Sequence, residues 1–250
     1  MDAEPFASGR SWVHRVDARL RIIAALVYSV ILAVSNEFAT LMPGLIISVL
    51  LTLMARLDAI AVSKRLLTIL GFIALIWVML PLTYNGDSYI QLGPLAISAE
   101  GVGLSARISL KTMAISMSFM ALIATMSTAT LGHALSRLGV SQRLVILLLM
   151  TYRYLFVLEN EYHRLRRAAR VRGFKPGTDL HTYRTYAYLV GMLFIRAAQR
   201  AERVYQAMRC RGFKGRFFTI ADFPASPNNF MFSLLMAIFA AGLILMEFNW

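Results

Sequence analysis

Five apolar stretches, each close to the length that crosses a lipid bilayer, constrain this chain more than any other feature. A membrane-spanning helix needs roughly 20 apolar residues to cross about 30 Å of hydrocarbon. None of the five contains Asp or Glu, and only 16% of the whole chain is charged, against about 25% in soluble domains. The sequence therefore predicts an all-α, polytopic membrane protein with about five transmembrane helices: Arg21–Asn36, Phe38–Ala55, Leu66–Tyr84, Thr112–Leu131 and Asn229–Met246.

A sixth apolar stretch, Leu144–Leu158, is short and is interrupted by Arg153. It predicts a buried or interfacial helix, with a sixth span as the alternative.

Basic residues are distributed unevenly between the connections. Of the 26 Lys and Arg residues, 24 lie before the first span, between spans two and three, or between spans four and five. Cytoplasmic loops of membrane proteins carry the excess of positive charge. The N-terminus is therefore predicted to be cytoplasmic, and the net charge of +13 indicates loop bias at a lipid bilayer rather than binding to nucleic acid.

The long connection between spans four and five predicts a cytoplasmic domain. The predicted organisation is residues 1–131 for membrane helices one to four, 132–227 for this domain, and 228–250 for the last membrane helix. Inside the domain, "VLENEYHRLRRAARVR" and Tyr183–Arg211 are rich in strong helix formers and predict two long helices.

An octapeptide occurs twice in that domain. "AARVRGFK" (168–175) and "AMRCRGFK" (207–214) share six of eight positions. Gly173 and Gly212 are placed to adopt the left-handed conformation that ends a helix. A helix cap that faces lipid headgroups is one interpretation. A cap does not need the full repeated pattern, however, so docking to a partner with two equivalent sites is the other.

The sequence contains few motifs that are typical of catalysis, nucleotide binding or metal binding. There is no phosphate-binding loop of the G-x-x-x-x-G-K-[ST] type, and the four histidines lack metal-ligand spacing. The single cysteine, Cys210, excludes an internal disulfide. The methionines of span four allow soft metal ligation but favour packing, and small residues in that span predict contact with protein rather than lipid. We predict a non-catalytic chain.

Three motifs carry a resemblance to a known family. "WVHRVDARLRI" (Trp12–Ile22) precedes the first span, "RVRGF" and "RCRGF" form a pair, and "ERVYQAMRCRGFKGRF" (Glu202–Phe217) extends the second copy. Together they resemble the transmembrane T component of energy-coupling factor transporters, in particular the cobalt/nickel branch called CbiQ. The resemblance covers most of the chain.

The resemblance implies a multi-pass protein of the bacterial inner membrane that couples transport to ATP hydrolysis. It implies two cytoplasmic ATPase subunits of the ATP-binding-cassette type, which bind ATP and Mg²⁺, and a substrate-binding membrane subunit for cobalt or nickel. No cofactor is expected in this chain. The implied ATPase-docking residues are Arg170, Arg172, Gly173, Arg209, Arg211 and Gly212.

Two other functions remain as alternatives. A lipid-acting membrane enzyme would use the basic segment to hold anionic headgroups, and a self-sufficient carrier would show inverted repeats with interrupted spans. Pro43 and Pro81 interrupt two spans, but the sequence has no matching halves.

Overall fold

A computed structural model describes Phe6, Gly9 and residues 11–84, 88–92, 95–215 and 227–248. The chain divides into two compact units, Met1–Leu131 with Asp222–Trp250, and Gly132–Ala221. The helices in the described ranges are α1 (Trp12–Arg15), α2 (Ala18–Val34), α3 (Phe38–Met54), α4 (Ala59–Thr83), α5 (Ala99–Leu122), α6 (Thr128–Arg137), α7 (Gln142–Val171), α8 (Leu180–Cys210) and α9 (Pro227–Phe248).

The predicted all-α class is confirmed, with one short addition. Strands β1 (Ser88–Leu92) and β2 (Leu95–Ser98) form an antiparallel hairpin between α4 and α5. Two described helices, Ala59–Thr83 and Asn228–Phe248, are long and apolar enough to cross a membrane, and Phe38–Met54 is apolar but shorter. The first unit therefore has the helical composition of a membrane protein.

The fourth predicted span is shifted along the chain. It was placed at residues 112–131, whereas α5 occupies Ala99–Leu122 and the chain turns before α6 begins. Hydropathy missed the first half of α5 because that half is rich in Gly and Ser. The hydroxyls of Ser105 and Ser109 donate to carbonyl oxygens one turn earlier, at 2.8 and 2.7 Å. Because their hydroxyls are hydrogen-bonded, Ser105 and Ser109 can lie inside a packed helix bundle.

Helices α2 and α9 run parallel in the first unit. Near the start of both helices, the backbone N–H of Asp17 donates to Asn229 Oδ1 at 3.0 Å. Near their far ends, the backbone N–H of Asn36 donates to Glu247 Oε1 at 3.0 Å. Two membrane-spanning helices that run in the same direction are separated by an odd number of crossings, and α3, α4 and α5 lie between α2 and α9 in this unit.

Helix α5 runs antiparallel to α2. Arg21 Nη1 donates to Thr125 Oγ1 at 3.1 Å, and Lys111 Nζ donates to the carbonyl of Ala33 at 2.9 Å. The start of α2 thus meets a residue just after the end of α5, and the end of α2 meets the middle of α5.

The end of α4 lies against the start of α5 at Pro81 and Gly101, and Val62 near the start of α4 packs with Met120 near the end of α5, so these two helices are antiparallel. Since α3 follows α2 after a short connection, successive helices of this unit alternate in direction.

Helix α5 lies at the centre of the bundle, in contact with α2, α3 and α4. Ala114, Ser118 and Ala121 are all buried along it, which lets neighbouring backbones approach closely. Met120 is 6% exposed and packs in an apolar cluster with Phe6 and Val62. The predicted contact of this helix with protein is confirmed, as is the packing role of this methionine.

Candidate functional site

The first copy of the repeat ends helix α7. Arg172 is the C-cap residue of α7, and Gly173 follows it with φ +85°. The backbone N–H of Gly173 donates to Arg170 O at 3.0 Å, and that of Phe174 donates to Ala169 O at 3.1 Å. These two bonds satisfy carbonyls that a helix end otherwise leaves unpaired. Gly173 occupies the left-handed position, as the sequence predicts.

The second copy ends helix α8 with the same geometry. Arg211 is the cap residue, and Gly212 follows with φ +79°. Gly212 N–H donates to Arg209 O and Phe213 N–H donates to Met208 O, both at 3.0 Å. The two similar octapeptides therefore build helix ends with the same hydrogen-bond pattern.

A third helix end of this kind shows what the cap itself requires. After α6, Gly139 has φ +90°, and Val140 N–H donates to Leu135 O at 3.1 Å. This end is built from Leu-Gly-Val where the repeat has Arg-Gly-Phe. The arginine before glycine and the phenylalanine after it are therefore not needed to end a helix, which weakens the cap-only interpretation of the repeat.

Substituting these glycines separates the cap from any docking role. No atom within 4 Å blocks a Cβ at Gly139, Gly173 or Gly212, so alanine would be opposed only by the positive φ. We expect each Gly→Ala variant to lose about 1 kcal/mol of stability, measured by thermal unfolding in detergent. Partner binding should fall for the Gly173 and Gly212 variants and stay unchanged for Gly139→Ala. Equal partner binding in all three would contradict a docking role.

The arginines of both copies point outward into solvent-accessible space. Arg170, Arg172, Arg209 and Arg211 are all exposed. Within the part of the chain that the structure describes, no carboxylate lies within 4.0 Å of any of the four. Arg209 does lie over the ring of Tyr205, 5.9 Å from its centroid. These guanidinium groups are available to a partner's carboxylates.

The two helix ends lie at opposite ends of an antiparallel helix pair. The Phe174 ring is 5.7 Å from that of Tyr186, near the start of α8. Further along, Glu161 of α7 accepts a hydrogen bond from Arg196 Nη1 of α8. From Tyr186 to Arg211, α8 extends about 40 Å at 1.5 Å per residue. The two Arg-Gly tips are therefore about this far apart.

Glu161 stands at the contact between the two helices. It lies 3.9 Å from Arg164 of its own helix, three residues later in the chain. Arg196 is 35 residues away, and nothing in the local sequence pointed to it. The hydrogen bond from Arg196, with Arg164 and Arg200 nearby, lowers the pKa of Glu161 below its ordinary value. The carboxylate is thus held in its charged form.

The described residues of the second unit do not gather a metal-ligand set. Across the described chain, no group of three or more His, Cys, Asp or Glu side chains is gathered as metal ligands are. His163 lies 3.8 Å from Glu159, and both side chains are half-exposed.

The apolar half of α7 is accessible rather than buried. Leu144, Leu147 and Leu155 are each more than half exposed. Val145 in the same stretch is buried, at 4% exposure, so the predicted burial holds for only part of the stretch. The interfacial position and the sixth span stay predictions.

Comparisons with known proteins agree with these features. The family model for the cobalt transport protein CbiQ matches residues 9–220. The energy-coupling factor transporter transmembrane protein EcfT of Listeria innocua is 27% identical over 222 residues, which cover 84% of this chain and 83% of the relative. The cobalt transport protein CbiQ of Rhodobacter capsulatus is 28% identical over 161 residues, 62% of this chain and 66% of the relative.

A further relative covers most of the chain. An uncharacterized protein of Methanocaldococcus jannaschii is 24% identical over 243 residues, which cover 94% of this chain and 82% of the relative. The matched family region contains both Arg-Gly helix ends and four of the five predicted spans. The chain therefore belongs to the CbiQ family of cobalt transport proteins, as the resemblance carried by its two Arg-Gly motifs indicates.

Proposed function

We propose that this chain is the transmembrane coupling subunit of an ATP-driven importer of the energy-coupling factor type. It links two cytoplasmic ATPases to a membrane subunit that binds the substrate, which we propose to be cobalt or nickel ions. The chain itself is non-catalytic and binds no cofactor. The observation that carries the proposal is the pair of matching basic helix ends, Arg172–Gly173 and Arg211–Gly212, held about 40 Å apart on one helix pair.

Each tip is suited to a groove lined by carboxylates. Arginine presents a planar fork of donors that matches a carboxylate with two parallel hydrogen bonds. Glycine ends the helix immediately after Arg172 and after Arg211, so that each guanidinium group lies at the tip rather than on the helix flank. The guanidinium groups are exposed and have no carboxylate partner in the described chain. Docking therefore costs them some hydration but breaks no ion pair within the described residues.

Helices α7 and α8 are suited to carry motion away from the tips. They comprise 30 and 31 residues without an internal proline, and a continuous helix of this length behaves as a stiff rod. When ATP draws the two ATPases together, the two tips move with them. The rods then transmit that displacement to the substrate-binding subunit.

We propose five membrane crossings with the N-terminus in the cytoplasm. Two independent features support this topology. In the first unit, α2, α4 and α9 run in one direction, and α3 and α5 run in the opposite direction. The concentration of Lys and Arg before α2, between α3 and α4, and throughout residues 132–227 matches the cytoplasmic side of that arrangement.

Purification of the tagged chain from its own cells in mild detergent tests the proposal directly. We expect two ATPase chains and a small membrane subunit to co-purify, and the assembly to hydrolyse ATP. Mass spectrometry of the purified material identifies them. A chain that purifies alone and still supports metal uptake in proteoliposomes would instead be a self-sufficient carrier.

A further inference from the structure

An ion pair between Glu161 and Arg196 joins the two long helices of the second unit. Glu161 is the residue through which α7 meets Arg196 of α8, and its side chain is only 14% exposed although the two helices around it are largely open to solvent. By contrast Glu159, two residues earlier, is 48% exposed and lies 3.8 Å from His163 of its own helix. One carboxylate of α7 thus faces α8, and its neighbour faces outward.

The position of this pair along the helices is close to central. Gly173 follows Glu161 by 12 residues, and Gly212 follows Arg196 by 16 residues. At 1.5 Å per residue, the tips lie about 18 and 24 Å from the pair along their own helices. The two arms extend in opposite directions from one point. The contact between Glu161 and Arg196 therefore determines how strongly a displacement of one Arg-Gly tip is transmitted to the other tip.

Charge reinforces the contact from both helices. Arg164 Nη1 lies 3.9 Å from Glu161 on the α7 side, and Arg200 adds attraction from α8. Three arginines therefore surround a single carboxylate. Its removal would leave three like charges at the crossing and would favour separation of the helices.

We propose that Glu161 is a positioning residue, which pins α7 to α8 midway between the two Arg-Gly tips and so fixes the tip-to-tip geometry that two ATPases must engage. This inference rests on the proposed coupling function. It assigns to Glu161 and Arg196 the task of keeping the two arms acting as one unit during each ATP cycle.

The geometry can be measured in the full-length chain, without partners. Cys210, the single cysteine, is exposed beside the second tip. The equivalent position of the first copy is Val171, which is 89% exposed. Spin labels on Cys210 and on V171C should show a narrow distance distribution near 35 to 40 Å by double electron–electron resonance in nanodiscs. We expect E161Q to broaden it and the charge swap E161R/R196E to restore it. E159Q is the matched control and should leave it unchanged.

Transport supplies the second readout. In cells that produce the whole complex, we expect E161Q to lower cobalt(II) uptake about fivefold while the ATPases still co-purify. The charge swap should recover most of that uptake. A narrow, unshifted distance distribution in E161Q, or failure of the charge swap to restore the narrow distribution, would each overturn the pinning role. If the unaltered chain binds no ATPase, the coupling function fails instead, and the distance measurement still decides the role of Glu161.

Discussion

Replacing Arg172 and Arg211 together by glutamate is expected to abolish metal uptake and to release the ATPases from the complex. Each substitution turns an attractive contact with a partner carboxylate into a repulsive one. Loss of one hydrogen-bonded charge pair at an interface costs about 2 kcal/mol or more, and 1.4 kcal/mol is a tenfold change in affinity. We therefore expect each single variant to bind at least about tenfold more weakly, and the double variant to bind undetectably.

The measurements are co-purification of the ATPases with the tagged chain and uptake of radioactive cobalt(II) or nickel(II) by intact cells. R153E/R203E is the matched control, because both residues are exposed on α7 and α8 and the change in net charge is the same. The control should retain most of both signals. If R172E/R211E retained bound ATPases and normal uptake, the docking role of the two tips would be wrong.

The second large effect is expected at Gly101, where the start of α5 packs against the end of α4. A Cβ on this buried glycine would lie 2.9 Å from Pro81 Cα and 3.1 Å from Leu80 O. Both contacts are with backbone, so neither can be relieved by rotating a side chain. We expect G101A to lose about 1–3 kcal/mol, the range for overpacking a well-packed interior, and G101L to prevent accumulation of the folded protein.

Gly103 provides the comparison on the same helix. No atom lies within 4 Å of a Cβ placed there. Alanine has the higher helix propensity by about 1 kcal/mol, so G103A should be neutral or slightly stabilising. Thermal unfolding in detergent, followed by size-exclusion recovery, measures both variants. Equal stability of G101A and G103A would refute the close approach of α4 and α5.

Much of this architecture could be predicted because it depends on local properties of the chain. The second and fifth predicted spans coincide with α3 and α9 to within two residues, since a long run of apolar side chains is sufficient to specify a membrane-length helix. The ends of α7 and α8 were also predictable. Gly173 and Gly212 are the residues that adopt positive φ with least strain, and the arginines before them are read directly from the sequence.

The prediction failed where tertiary contacts outweigh hydropathy. The first half of α5 carries Arg107, Ser105 and Ser109, and Lys111 follows directly after it, so low hydropathy assigned this segment to a connection. In the folded unit Lys111 donates to Ala33 O and to Asn36 Oδ1, at 2.9 and 3.1 Å, at the end of α2, where a cation is favoured by the helix dipole. Its partners lie some 75 residues earlier in the chain, beyond the reach of any local pattern.

The sequence by itself determined the apolar helices, the excess of basic residues in alternate connections between them, and the two matching helix ends. These follow from side-chain hydrophobicity, charge and the conformational range of glycine, which act within a few residues. Only the tertiary structure decided that the two ends lie at opposite ends of one antiparallel pair. It also brought Glu161 against Arg196 between them. Such contacts join residues distant in sequence, and the packing of whole helices selects them.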